Sequence, residues 1–157
     1  MPLSSLFPAA RLAGMHQRFT GFAEGFGIQG MVMSEHLPST RKALAIAEYA
    51  RDQGKLEPFR QGAMELHWRK GGNLEDDTQL GALATEAGLD PVAAVAAGSD
   101  PALLARVDAA REEAMDAGVT GIPTFLFDRV RVVGCERYEV LAAAAERAGA
   151  VRRPAGS

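Results

Sequence analysis

The chain has 157 residues, 47% of them hydrophobic and 24% charged, with a net charge of −3, and these ordinary values exclude a disordered polymer, a collagen-like repeat and a low-complexity chain. A chain of this length supports one domain whose core buries about 68 to 70% of the unfolded surface without help from metals or disulfides. No basic cluster is longer than Arg152-Arg153, so the electrostatic footprint of a nucleic-acid binder is missing.

Leu12, Met15, Phe19, Phe22 and Phe26 recur at steps of 3, 4, 3 and 4, which predicts one apolar stripe on a helix about four turns long, ended by Gly25 and Gly27. A second helix opens near Pro38, Ser39 and Thr40 and runs through Ala43, Leu44, Ala47 and Ala50 to a stop at Gly54. A third spans about Leu56 to Lys70, with Phe59, Ala63 and Leu66 on one side and Gly71-Gly72 as its break. Asp76 or Asp77 caps a fourth through Leu80, Leu83 and Ala87, closed by Gly88. Asp90-Pro91 and Asp100-Pro101 each join a capping carboxylate to a proline at the first helical position, so two more helices begin there, the second reaching Ala117 before Gly118.

After Gly118 the period changes. Thr124 to Phe127 is a short apolar run, Asp128-Arg129 a tight turn, and Val130, Val132 and Val133 mark a second strand, so the segment reads as a β-hairpin. Gly134 ends it, and Glu136 to Ala148, with Val140, Leu141 and Ala144 on one face, forms a last helix before a polar tail. A lone two-stranded hairpin is marginal in water, and Thr124-Phe-Leu-Phe127 is apolar on both faces. It therefore calls for a neighbour on its open side. The only other strand candidate is Ile28 to Met33, which is short and flanked by glycine.

No apolar run approaches the roughly 18 to 20 residues that cross a bilayer, and the stretch from Met1 to Pro8 lacks the charged start and long apolar run of a secretion signal. The expected setting is the cytoplasm, with no membrane and no nucleic-acid partner. The single cysteine, Cys135, forms no internal disulfide, and with it His16, His36 and His67 make no ligand set at zinc-like spacing. Gly25-Phe-Gly-Ile-Gln-Gly30 matches a dinucleotide fingerprint in letters, but it follows a helix where a strand is required, so its glycines are read as a helix stop and a turn. The histidines lie far apart with no Gly-x-Ser-x-Gly elbow, and Glu75-Asp76-Asp77 suits a helix start. Cys135 precedes the last helix, where the dipole lowers a thiol pKa; the competing role, a small residue filling a buried space, is the commoner fate of free cysteine. Gly121-Ile122-Pro123-Thr124 places a proline directly before a strand, where a missing amide must be harmless.

Gly118-Val-Thr-Gly-Ile-Pro-Thr-Phe-Leu-Phe-Asp128, followed by Val130 to Gly134 and a helix, resembles the C-terminal ββα of the DsbA-like thioredoxin superfamily. The preceding helices, with Leu37-Pro-Ser-Thr-Arg41, Ala43-Leu44, Tyr49-Ala50-Arg51 and Leu80 to Pro91, resemble the helical insertion of its cytoplasmic branch, which includes FrnE-type oxidoreductases and 2-hydroxychromene-2-carboxylate isomerases. The resemblance implies an α/β, thioredoxin-like chain with a helical insertion, truncated to helices followed by ββα. It implies a DsbA-like domain over 1–150, with the insertion at about 8–118, the ββα at about 122–149, and a tail over 151–157.

It further implies that Pro123 is a cis-proline facing a redox centre, that Ile122 offers its backbone to an extended peptide or to glutathione, and that Gly134 and Cys135 lie beside that loop. Gly121, Ile122, Pro123, Thr124, Gly134 and Cys135 are the expected substrate-binding residues, with no metal and no catalytic residue assigned. No Cys-x-x-Cys or substituting serine motif precedes the helical insertion. Ser39 stands where the family favours asparagine, Arg129 where a hairpin turn favours glycine, and Cys135 where alanine is more usual. The expected activity is that of a thiol-disulfide oxidoreductase whose catalytic segment lies outside this chain. The alternatives are a glutathione-dependent isomerase relative and a non-catalytic module that forms a homodimer or binds a partner through the open strand. The expected partner is a thiol or disulfide substrate or peptide, with glutathione the one small ligand allowed.

Overall fold

The computed structural model describes residues 2–32, 34 and 38–153. Met1, Met33, Glu35, His36, Leu37 and the tail residues 154–157 lie outside the described residues. The chain divides into two compact units, Met1–Ala109 and Ala110–Ser157.

In the first unit a short turn, Leu3–Ser5, leads into α1 (Ala9–Glu24), followed by α2 (Arg41–Asp52), α3 (Leu56–Lys70), α4 (Asp77–Glu86), α5 (Pro91–Ala97) and the start of α6 (Pro101–Asp116). Carboxylates set three of these starts. Asp76 accepts from the Gln79 amide at 2.8 Å, Asp90 from the Ala93 amide at 2.7 Å and Asp100 from the Ala102 amide at 2.7 Å, each satisfying an amide that the first helical turn leaves without a carbonyl. The core lies among α2 to α5, where Ile46, Phe59 and Leu80 are fully buried beside Leu83, Ala84 and Ala94. Small residues on α2, Ala43, Ala45 and Ala50, are buried with them. Burying a side chain such as Phe59 contributes about 1.5 to 3 kcal/mol.

The outer helices of this unit are held differently. On α1 Leu12, Met15, Phe19 and Phe22 keep the expected spacing, whereas Phe26 lies in the turn after the helix; Phe22 and Phe26 are 55% and 41% exposed, and Ala23 is the buried residue of the helix. Phe19 joins the helix to α3 by stacking on Trp68, with ring centroids 5.2 Å apart. The segment after α1 forms no ladder over its described residues. The Val32 amide donates to the Trp68 carbonyl at 2.8 Å and Arg69 donates to the Gln29 carbonyl at 2.7 Å, so Ile28 to Val32 is an irregular stretch tied to the end of α3 and not a strand. Gly27 and Gly30 sit at φ 76° and 70°, as turn glycines. α6 has no fully buried residue, and its described ties to α2 are ionic: Arg106 to Glu48 and Asp52, and Asp108 to Arg41.

The second unit holds the end of α6, β1 (Thr124–Phe127), β2 (Val130–Val133) and α7 (Tyr138–Arg147). The strands pair antiparallel with Thr124 opposite Val133 and Phe127 opposite Val130. The two-residue turn takes its positive φ at Asp128, 51°, and not at Arg129, so the absence of glycine at Arg129 carries no penalty; aspartate tolerates this region better than most residues. Phe125, Phe127, Val130 and Val132 share the half-buried face, while Leu126 and Val133 on the other face are 48% and 46% exposed.

α7 packs on the hairpin. It begins at Tyr138, two residues later than the expected Glu136, because Arg137 is still extended at φ −66° and ψ 152°. Its covered residues are Leu141, Ala142, Ala144 and Ala145, with Ala144 fully buried; Val140, expected on the same face, is 42% exposed.

Candidate functional site around the Ile122–Pro123 loop

The end of α6 sets up the loop. Gly118, at φ 72°, reverses the chain, the Val119 amide returns to the Ala114 carbonyl at 2.9 Å and the Gly118 amide to the Met115 carbonyl at 2.8 Å. This is the paired closure of a helix on a left-handed residue, for which glycine has no steric cost. Two carbonyls remain beyond it, those of Ala117 and Gly118. The guanidinium of Arg131 donates to both, Nη2 to Ala117 at 2.9 Å and Nη1 to Gly118 at 2.7 Å.

From Gly118 the chain runs through Gly121 to a cis Ile122–Pro123 peptide. The Thr124 hydroxyl donates to the Gly121 carbonyl at 2.5 Å, and the Gly134 amide donates to the Pro123 carbonyl at 2.8 Å. Proline has no amide to return, so this pair carries one bond. Ile122, between these two ties, is 91% exposed. Its amide and carbonyl have no hydrogen-bond partner among the described residues.

The bond from Gly134 also fixes the phase of the ladder. With Pro123 and Gly134 opposed and bonded, alternation makes Phe125 with Val132 and Phe127 with Val130 the bonded pairs, so Thr124 and Leu126 turn their own amides and carbonyls to the outer edge of β1. No second strand pairs there among the described residues.

Gly121, Ile122, Pro123, Thr124 and Gly134 therefore come together in one loop, and Cys135 follows Gly134 directly. Neither the helix-start reading nor the buried-filler reading of Cys135 matches its position. The thiol is exposed, so it fills no buried space, and α7 starts three residues further on, so it is not at the helix start. The sequence reading missed Arg131. Its one signal is a lone charge in the apolar run Val130-Arg-Val-Val133, at an alternate position that a half-covered hairpin turns outward.

Among the described residues no cluster of three or more His, Cys, Asp or Glu could hold a metal ion, and no helix is long and apolar enough to cross a membrane. Of the histidines, His67 packs edge-on against Trp68 with its Nδ1 buried and unbonded, and His16 offers only its carbonyl, to Thr20. Neither belongs to the loop. Chemically, the arrangement offers a free peptide edge for an extended backbone, with an exposed thiol at its margin.

The chain is mostly helical with a small two-stranded sheet, and its likeness to known proteins gives it a DsbA-like thioredoxin fold. The DSBA-like thioredoxin domain family matches residues 1–146, and the chain belongs to that family. Its structure is similar to the crystal structure of a probable DsbA oxidoreductase from Streptomyces coelicolor, with a TM-score of 0.77 and 25% sequence identity, over 98% of this chain and 70% of that one. No curated protein matches the chain.

Proposed function

We propose that this chain supplies the substrate-facing surface of a thiol-disulfide oxidoreductase. The observation that carries this reading is the Ile122 peptide edge, exposed and unbonded beside a cis proline while the loop on either side of it is tied down. An extended peptide bearing a thiol or disulfide pairs with the Ile122 amide and carbonyl as an added strand, with the Ile122 side chain as an apolar contact. In the reaction, a thiolate attacks one sulfur of the disulfide, the other sulfur leaves as a thiolate, and a second thiol resolves the mixed disulfide. The chain has one cysteine, so the thiol pair is contributed from outside these 157 residues, and the part played here is binding and orientation. Glutathione carries a thiol on a short peptide and fits the same edge, which is the basis for a glutathione-dependent isomerase relative. A reducing cytoplasm suits a chain with one exposed thiol and no partner for it.

A second reading rests on the outer edge of β1. The amides and carbonyls of Thr124 and Leu126 face a side that no strand covers among the described residues, and an unpaired edge is a template for a second chain. A homodimer paired through this edge follows.

The test is a backbone amide titration with a short extended peptide containing one cysteine, the same peptide with serine in its place, and glutathione. Shifts concentrated at Gly121, Ile122 and Thr124 are the expected result. Saturating peptide and glutathione without any shift there overturns the substrate-facing reading, and a strictly monomeric chain in sedimentation overturns the dimer.

A further inference from the structure

Resting on the reading that Ile122 meets the substrate, we propose that Arg131 is the positioning residue of that loop. The loop from Gly118 to Pro123 is tied at three points. Arg131 binds its first carbonyls, the Thr124 hydroxyl binds Gly121 and the Gly134 amide binds Pro123. Two of these ties belong to the hairpin's immediate neighbourhood and form wherever the hairpin forms. Among the described residues, it is the side chain of Arg131 that reaches across 13 residues of sequence to hydrogen-bond the end of α6 from the hairpin. It stands on β2 opposite Leu126, so the same ladder that turns Leu126 outward aims the guanidinium at the α6 terminus.

Three physical reasons make this arginine specific. The planar fork spans two carbonyls at once, which the point charge of lysine does not. The carbonyl end of α6 carries partial negative charge that favours a cation. At Gly118, a Cβ would lie 2.7 Å from Arg131 Nη2, so the glycine leaves the guanidinium room to lie close against the backbone. A loop held in its bound shape before the ligand arrives avoids the ordering cost of binding. Arg131 thus acts on affinity through the Ile122 peptide group without touching the ligand.

The experiment compares the full chain with Arg131→Ala, Arg131→Lys and Arg131→Met, reading amide exchange, thermal stability and the affinity of the single-cysteine peptide. Arg131→Ala is expected to raise exchange at Ile122 and its loop neighbours and weaken the peptide about tenfold, with Phe125 and Phe127 still protected. Arg131→Lys recovers part of the affinity. Arg131→Met, which keeps the length of the side chain but removes both donors, reproduces the alanine effect and serves if Arg131→Ala folds poorly. Unchanged loop exchange, unchanged peptide affinity despite a loosened loop, or loss of hairpin protection in all three variants overturns the proposal. If the unmodified chain binds no peptide, the substrate-facing reading fails, while loop exchange still decides whether Arg131 holds the loop.

Discussion

Arg106 of α6 donates through Nη1 to Asp52 Oδ2 at the end of α2 at 2.6 Å, and its Nη2 lies 2.6 Å from Glu48 Oε2 one turn earlier. One guanidinium therefore gathers two carboxylates of the same helix. Because α6 buries no residue fully, this ionic contact, with Arg41 and Asp108, is its described means of holding to α2. The hydrogen bond from Arg106 holds the Asp52 carboxyl below the usual carboxylate range, against partial burial, with the charges of Arg106 and Arg51 adding to it.

The depressed Asp52 sets the sign of a pH dependence. A carboxyl whose folded pKa lies below its unfolded value of about 3.9 contributes stability above that value and loses it as pH falls through the folded pKa. Arg106→Ala should therefore lower the melting temperature slightly at neutral pH, with the difference from the unmodified chain closing as the pH drops below about 4 and shrinking in high salt. Melting curves of both chains across pH and salt measure it. A difference of constant size across pH would show that Arg106 acts through its packing and not its charge.

Two glycines inside helices should respond oppositely to alanine. A Cβ at Gly14 of α1 meets nothing within 4 Å, so Gly14→Ala should stabilise by about 0.5 to 1 kcal/mol through helix propensity. A Cβ at Gly62 of α3 would lie 2.3 Å from Leu83 Cδ1, and Leu83 is buried in the core. Gly62→Ala should cost about 1 to 3 kcal/mol despite the same gain in propensity. Urea unfolding of the two variants gives both signs.

Cys135 is exposed, so an aromatic disulfide reagent should modify one thiol per chain in the folded state. The rate should fall within about tenfold of that for the unfolded chain, since access and not burial governs it. Modification that waits for denaturant would place the thiol in the interior.

The outer edge of β1 gives a prediction about assembly. The Leu126 amide faces outward and takes no part in the hairpin ladder, so Leu126→Pro removes an edge donor without breaking a bond between β1 and β2. Sedimentation of the unmodified chain should show a dimer and the variant a monomer, with the Val130 and Val132 amides still protected from exchange. The same preparation, with one thiol per chain, should show no dithiol turnover in an insulin-reduction assay. Steady turnover would mean that a chemistry other than paired thiols operates in this chain.

Local grammar made most of the helices readable in the sequence. Asp76, Asp90 and Asp100 bond amides within three residues of themselves, and Gly54, Gly88 and Gly118 stop helices through their own backbone, so the information lies within one turn of the chain. The Gly-Ile-Pro-Thr-Phe loop was legible by resemblance, since an X-Pro dipeptide alone does not specify its isomer. What covers an apolar stripe was not legible: the spacing that runs to Phe22 and Phe26 is the same whether those rings are buried or, as found, exposed. The start of α7 was misplaced because Glu136 suits a first helical turn, whereas the chain is still extended at Arg137. Arg131 was missed for a related reason. Its partners lie 13 and 14 residues away, and a contact between a side chain and a distant carbonyl leaves no periodic trace; only the meeting of the hairpin with the end of α6 decides it.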